Sequence, residues 1–270
     1  MSQNKNPRIF VVGNEKGGAG KTTCSMHLII GLLDKGYNVA SIDADSRQHS
    51  LTSYINNRES YNQQNVEHKV DIPLHFHLKE ASNNSIEEKD KQERLHFEQA
   101  FSAAKTHADY IVIDTPGSHT NLSRIAHSYA DTVITPINDS FVDLDVIAKI
   151  SGDNFDISKP SIYSQMLWEQ KIQRASRDGG SIEWIVVRNR LSNIDAQNKR
   201  NVASALEKLA KRVSFRVLPG FSERVIFREL FPFGLTLLDL KKANFNKSFS
   251  LSHVAARQEL RDFLDSLGVK

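Results

Sequence analysis

The feature that most limits the fold is a succession of three pieces: an apolar run, RIFVV (8–12), a glycine-rich stretch, NEKGGAGKTT (14–23), and a helical pattern reaching Leu33. Backbone N–H groups converge on phosphate oxygens only where side-chain bulk is absent, and a helix that follows at once turns its positive end to the same charge. Gly17, Gly18, Ala19 and Gly20 meet the first need, and the run from Lys21 meets the second. Lys21 is then placed to reach β and γ phosphates, and the Thr22 hydroxyl to bind Mg²⁺. The strict spacing G-x-x-x-x-G-K-[ST], however, asks for glycine at position 15, where this chain has Glu15.

Short β-branched runs recur between helical patterns: RIFVV, YNVASID (37–43), YIVID (110–114), TVITPI (132–137), EWIVVRN (183–189) and VSFRVLP (213–219), with DIPLHFHL (71–78) as a further candidate. Several are almost unbroken apolar runs, as befits strands covered on both faces by helices. The expectation is an α/β chain, a three-layer P-loop NTPase fold with a mostly parallel sheet flanked by helices. No repeat, long linker or low-complexity tail divides it, so 1–270 reads as one domain, with a polar excursion at about 56–94.

Ligands of open α/β sheets bind beyond the carboxyl ends of the strands, and the sequence gathers its chemistry there. Asp43 and Asp45 close VASIDAD, Asp114 closes YIVID and Asn189 closes WIVVRN. Asp114 is read as the acid that holds Mg²⁺ through water. A water aligned for attack on a γ phosphate needs a nearby acceptor; Asp45 is the candidate, with Asp43 closer to the metal. A strand end capped by acids that open the next helix is the other reading of this pair.

Composition removes several function classes. No stretch approaches 18 consecutive apolar residues, and the polar opening MSQNKNPR carries neither a signal nor a transit pattern, so the expectation is cytoplasmic. The single cysteine, Cys24, excludes an intrachain disulfide and a Cys-based zinc site, and the ten histidines lack ligand spacing. Net charge is only +3, yet between Arg188 and Arg228 ten basic residues face three acids, which leaves that segment at +7 and the rest of the chain at −4. On a helix from about 195 to 213, Val202, Leu206, Leu209 and Val213 share one face, with Arg200, Lys208, Lys211 and Arg212 opposite. With Lys199, Arg216 and Arg224 these form a candidate non-specific DNA surface.

KGGAGKT resembles the deviant Walker A signature KGGxGK[ST] of the P-loop ATPases that include ParA, MinD and the nitrogenase iron protein. In that group position 15 need not be glycine. The resemblance implies a nucleotide site formed by Glu15, Lys16, Gly17, Gly18, Ala19, Gly20, Lys21, Thr22 and Thr23, with Asn189 reading adenine. It also implies catalytic roles for Lys16, Lys21 and Asp45, with Lys16 crossing a dimer seam to the partner's nucleotide as an arginine finger does. Blocks outside the loop, TPINDSFVDLD, KPSIYSQMLWE, FRELFPFGLTLLDL and HVAARQELRDFL, are similar to the MipZ family of ParA-related ATPases. That family implies ATP and Mg²⁺ as cofactors, an ATP-dependent homodimer, slow hydrolysis, non-specific DNA binding, a ParB-like partner and inhibition of FtsZ. It also implies a protein spread on the nucleoid and polar with the chromosome origin.

Three neighbouring classes compete with this reading. A nitrogenase-iron-protein-like reductase needs two cluster cysteines per subunit, and one Cys24 cannot supply them. A MinD-like switch needs an amphipathic terminal helix for a lipid surface; the polar side of HVAARQELRDFLDSL mixes Arg257 and Arg261 with Glu259, Asp262 and Asp265, which suits packing better, so no membrane is expected. A ParA-type partition ATPase shares the chemistry and remains the alternative reading.

Overall fold

The computed structural model describes residues 6–82, 85–151, 156–191, 196–243 and 251–269. In chain order the first half contains β1 (Arg8–Val12), α1 (Lys21–Asp34), β2 (Val39–Asp43), α2 (Ser50–Gln64), β3 (Leu74–His77), α3 (Ile86–His107), β4 (Tyr110–Asp114) and α4 (Asn121–Tyr129). The second half contains β5 (Thr132–Asn138), α5 (Phe141–Leu144), β6 (Ala148–Ser151), β7 (Asp156–Pro160), α6 (Ile162–Asp178), β8 (Glu183–Asn189), α7 (Ala196–Val213), β9 (Arg216–Leu218), α8 (Ile226–Leu230) and α9 (Leu251–Ser266). Seven strands form one sheet in the order β3-β2-β4-β1-β5-β8-β9, and every pair in it is parallel. The antiparallel hairpin β6–β7 stands apart from it.

The strand alternation divides the core in two. Ile9, Val11, Ile42, Ile111, Ile113 and Val133 pack toward a layer that includes Phe97 of α3, Ile125 of α4, Leu167 of α6 and Leu206 of α7. Phe10, Val12, Val112, Ile134, Ile185 and Val187 face the other way, toward Leu28 of α1, Ile55 of α2 and Phe263 of α9. Adjacent residues of one strand thus serve opposite cores, which is why these strands read as continuous apolar runs. A third cluster ties Tyr61 of α2 to Leu230, Leu235, Leu237 and Leu240.

Two expectations change in the structure, and a third holds. The stretch 56–94 is not an excursion: it holds the end of α2, edge strand β3 and the start of α3. Its polarity reflects an edge position, where Leu74 is 43% exposed, and a helix with one buried stripe. The strand expected at 213–219 shrinks to Arg216–Leu218, because the apolar face of α7 runs on to Val213 and Ser214 then turns the chain at a φ of 61°. The terminal helix α9 uses its apolar side internally, as its mixed polar side suggests: Leu260, Phe263, Leu264 and Leu267 are buried, while Val254 is exposed. Leu264 lies so close to Gly31 that a Cβ there would sit 2.4 Å from Leu264 Cδ1.

Candidate active site

Register gathers the site at the carboxyl end of the sheet. Asp114 pairs with Val12, where the glycine loop begins, and on its other side with Asp43. Gly18 and Gly20 take φ values of 73° and 90°, a region that residues with a Cβ avoid. Position 15 has no positive φ, so the loop tolerates Glu15 without strain. The Glu15 carboxylate lies 3.6 Å from His119 Nδ1, and burial pushes its pKa up. Asn189 braces the loop from the side by donating to the Ala19 carbonyl at 2.8 Å, and a Cβ on Gly20 would lie 2.1 Å from the same Nδ2.

Lys21 folds back over the loop, its ammonium donating to the Lys16 carbonyl at 3.0 Å. Burial lowers its pKa, against the pull of Asp114 and Asp45. Lys16 turns elsewhere. Its backbone N–H donates to Asn14 Oδ1 at 2.7 Å, while its ammonium donates to the Val142 carbonyl and pairs with Asp143 Oδ1 at 3.1 Å. Both of those partners belong to α5.

Asp114 is 2% exposed and accepts from the Thr22 hydroxyl at 2.7 Å and the Ser25 hydroxyl at 2.9 Å. Burial, with Asp43 alongside, pushes its carboxyl up to about 7. Asp43 is also buried; its Oδ2 accepts from Thr52 N and Oγ1, both at 2.9 Å, and its Oδ1 from Asp45 N at 3.1 Å. Asp45 accepts from the backbone of Gln48 at 3.0 Å, shaping the turn into α2. It lines an open cleft of about 480 Å³ together with Gly17 and Gly117. Asp114 and Asp43 therefore form the buried floor of the site, and Asp45 stands beside them at the open cleft.

Thr23 and Asn189 border a second cavity, closed down to about 20 Å³, with Gly20, His27, Phe221 and Phe227 also in its wall. His27 Nδ1 meets the Thr23 carbonyl at 2.8 Å, and the buried Nε2 has no partner among the described residues. Phe227 stands edge-on to His27 at 5.1 Å in this wall.

Sequence reasoning missed four side chains. Ser25 shares the face of α1 with Thr22, three residues on, and that spacing is the signal that could have found it. Asp143 lies inside NDSFVDLD, but its pairing with Lys16 spans 127 positions. Thr52 and His75 form a directed chain. Thr52 gives its proton to Asp43 and therefore accepts from His75 Nε2 at 3.0 Å, while His75 Nδ1 accepts from the Ser41 hydroxyl at 2.8 Å.

The basic residues are spread along α7 and beyond it. Arg200, Lys208, Lys211 and Arg212 are exposed on α7, but that helix runs from the carboxyl toward the amino end of the sheet, so Arg212 lies about 18 Å along it from Arg200. Arg216 pairs with Glu183 at 2.8 Å and Arg224 with Glu259 at 2.7 Å. The Lys199 side chain lies outside the described residues. Among the described residues no helix is long and apolar enough to cross a membrane.

A parallel sheet with a glycine loop between β1 and α1 and an acid ending β4 defines a P-loop NTPase of the ParA/MinD class. The chain belongs to the ATPase MipZ family, whose profile matches residues 8–270. Sporulation initiation inhibitor protein Soj of Bacillus subtilis is 27% identical over 162 residues, a match that spans 53% of this chain and 63% of the length of Soj. Among solved structures, an ATP complex of Cyanothece McdA superposes with a TM-score of 0.65 at 16% identity, covering 98% of each chain. The septum site-determining protein MinD of Pyrococcus horikoshii, complexed with Mg-ADP, superposes with a TM-score of 0.59 at 18% identity, covering 97% of this chain and 98% of MinD. At such identities the likeness is one of fold.

Proposed function

We propose that the chain is an ATP-dependent dimerisation switch that hydrolyses ATP slowly, binds DNA without sequence preference as a dimer, associates with a ParB-like partition protein and inhibits FtsZ assembly to position the division plane. On this reading it works in the cytoplasm, spread on the nucleoid and concentrated with the chromosome origin at the pole. The observation that carries the reading is the divergence of the two loop lysines. Lys21 lies over its own loop, while the Lys16 ammonium is held by Asp143, away from the loop. A cation that does not serve its own phosphate cradle is available to a second copy.

Within one subunit, the loop amides of Gly17 to Thr22 bind the phosphates and Lys21 neutralises the γ oxygens. Asp45, on the open cleft, orients the attacking water, and the Asn189 side-chain oxygen is left to meet the base. The Thr22, Asp114 and Asp43 oxygens fit Mg²⁺, which takes few protein ligands and retains water. Asp114 and Asp43 are adjacent buried carboxylates, and burial with Asp43 alongside pushes Asp114 up to about 7 even though Lys21 is near, so a further cation would be accommodated there. Once bound, the ion would offset the charge on the β and γ oxygens.

Size-exclusion chromatography with ATP and with ADP tests the switch, and sedimentation of FtsZ polymers tests the output. Dimer only with ATP, together with loss of FtsZ polymer, supports the reading. ATP-dependent dimerisation with no effect on FtsZ leaves the chain as a partition ATPase instead.

A further inference from the structure

Beneath the phosphate loop lies a buried polar cluster with no part in the chemistry above. Its centre is the Tyr163 hydroxyl of α6, a residue only 1% exposed. The hydroxyl lies 3.0 Å from the carbonyl of Gly13, the residue between β1 and the loop. It is also 3.1 Å from His127 Nε2 of α4 and 3.0 Å from Thr135 Oγ1 of β5. Thr135 in turn accepts from Trp184 Nε1 at 3.0 Å. Gly13 is glycine because of this cluster: a Cβ there would lie 2.4 Å from His127 Nε2 and 2.9 Å from the Tyr163 oxygen.

Counting protons shows what the cluster can do. His127 Nδ1 faces the Ser123 carbonyl at 2.7 Å, so that nitrogen carries the hydrogen. Burial pulls the ring down to about 4, so it is neutral and Nε2 is an acceptor. Thr135 Oγ1 accepts from the indole N–H with one lone pair and keeps its own proton to give to the Tyr163 oxygen, the direction that leaves the tyrosine proton for other acceptors. Tyr163 then has one proton and two acceptors, the Gly13 carbonyl and His127 Nε2. It serves one at a time, and the other is left as a buried unsatisfied group, which is unfavourable.

We propose that Tyr163 is a positioning residue for the phosphate loop, and that its single proton, shared between Gly13 and His127, couples the start of the loop to helix α4. Helix α4 follows Asp114-Thr-Pro-Gly, the segment that contacts the loop through Gly117, where a Cβ would lie 3.4 Å from Gly17 N. Nucleotide binding that tightens the loop draws the proton to Gly13 and releases His127; displacement of α4 does the reverse. The cluster is thus a two-state element that both ends bias, which is the physical requirement for coupling. The inference rests on the reading that the loop binds nucleotide.

The test uses the full chain and mant-ADP. Tyr163→Phe keeps the ring and removes the proton; mant-ADP should bind about ten-fold more weakly, since a preorganised loop has lost its tether. Amide hydrogen exchange in 121–129, slowed by mant-ADP in the parent chain, should no longer respond. His127→Gln should lose the α4 response as well, with a smaller loss of affinity, because the bond from Tyr163 to Gly13 survives. In the unmodified chain with ¹⁵N-labelled histidine, the His127 Nε2 resonance should move when mant-ADP binds, a readout that neither variant's stability affects. If the parent binds mant-ADP but Nε2 stays fixed, or Tyr163→Phe binds within two-fold of the parent with α4 still responsive, the coupling is wrong and the nucleotide reading stands. If the parent binds no mant-ADP, both fail.

Discussion

Lys16 of the phosphate loop and Asp143 of α5 form an ion pair of 3.1 Å within one chain, the lysine about one-third exposed and the aspartate mostly covered. A lysine held in this way has to leave Asp143 before it can reach anything else. Such a partly exposed pair is worth at most about 1 kcal/mol, so the restraint is weak enough for a bound triphosphate to overcome. Lys16→Ala is therefore expected to bind nucleotide and remain monomeric with ATP. Asp143→Ala, which frees the lysine, should strengthen ATP-dependent self-association by up to about five-fold. Analytical ultracentrifugation with a non-hydrolysed ATP analogue checks both; a Lys16→Ala chain that dimerises normally rules out the trans role.

Asp45 differs from its neighbours in depth. Asp114 and Asp43 are buried and committed to Thr22, Ser25 and Thr52, whereas Asp45 borders the open cleft and, among the described residues, its carboxylate bonds only to backbone N–H groups of its own turn. Asp45→Ala should leave dimerisation intact and lower phosphate release by 10²-fold or more, the order expected when a general base or water-orienting group is lost. The variant should persist as an ATP dimer on DNA. Single-turnover hydrolysis beside size-exclusion chromatography separates this from a binding defect.

The sheet and loop were legible because each is local: strand, glycines and helix occur in sequence, and RIFVV, YIVID and EWIVVRN coincide with β1, β4 and β8 to the residue. What stayed hidden depends on chain crossings. The Lys16–Asp143 pair, the His75–Thr52–Asp43 chain and the Tyr163 cluster join positions that only the topology brings together, and no spacing rule anticipates them. Edge strand β3 was faint for another reason: with Leu74 and His77 exposed, it lacks the two-sided burial that made its neighbours read as continuous apolar runs. The basic residues were found by counting, but counting does not say that α7 carries Arg200 and Arg212 toward opposite ends of the sheet.

His75 gives the fold a measurable acid dependence. Burial, with His77 nearby, pulls its pKa from the ordinary 6.5 to about 4. Between those values the unfolded chain binds a proton that the folded chain does not, so this contribution to stability is intact above pH 6.5 and is lost as pH falls toward 4. Asp114, held up to about 7, has the opposite sign: its folded form keeps a proton longer, and stability declines as pH rises from the carboxylate range toward 7. The test is therefore a difference. Urea unfolding of the parent minus that of His75→Gln should change by about 1.4 kcal/mol per pH unit between the two histidine values; a flat difference would falsify the assignment of a neutral, half-buried ring.

If the chain binds phosphate backbones, affinity must fall steeply with salt and depend little on sequence. Lys211 and Arg212 are exposed and pair with no acid among the described residues, whereas Arg216 and Arg224 are engaged by Glu183 and Glu259. Arg212→Ala should reduce the slope of log affinity against log salt by about 1, uniformly across unrelated duplexes. Arg216→Ala and Arg224→Ala should change it less. Fluorescence anisotropy over a salt series, with ATP present, reads all three, and equal affinity at low and high salt removes DNA from the proposal.

Arg58 and Asp239 bind the block FRELFPFGLTLLDL to α2. The pair is buried, at 2.6 Å between Nη2 and Oδ1, and Arg58 also donates to the Gly234 carbonyl at 2.9 Å and the Asp71 carbonyl at 2.6 Å. Gly234 has a φ of +65°, and a Cβ there would lie 2.1 Å from Arg58 N, so this contact accepts no larger residue. Removing one partner leaves a buried charge alone, at a cost of about 3–5 kcal/mol. Arg58→Met should lose that much stability in urea unfolding. Arg58→Met combined with Asp239→Leu should recover only part of it, because the two carbonyls stay unsatisfied and the Thr236 N–H, which donates to Asp239 at 2.7 Å, loses its acceptor. Since α2 also carries Thr52, the partner of Asp43, the same variants should weaken nucleotide binding in proportion to the loosening of α2; a destabilised chain with unchanged affinity would show that the clamp and the site are independent.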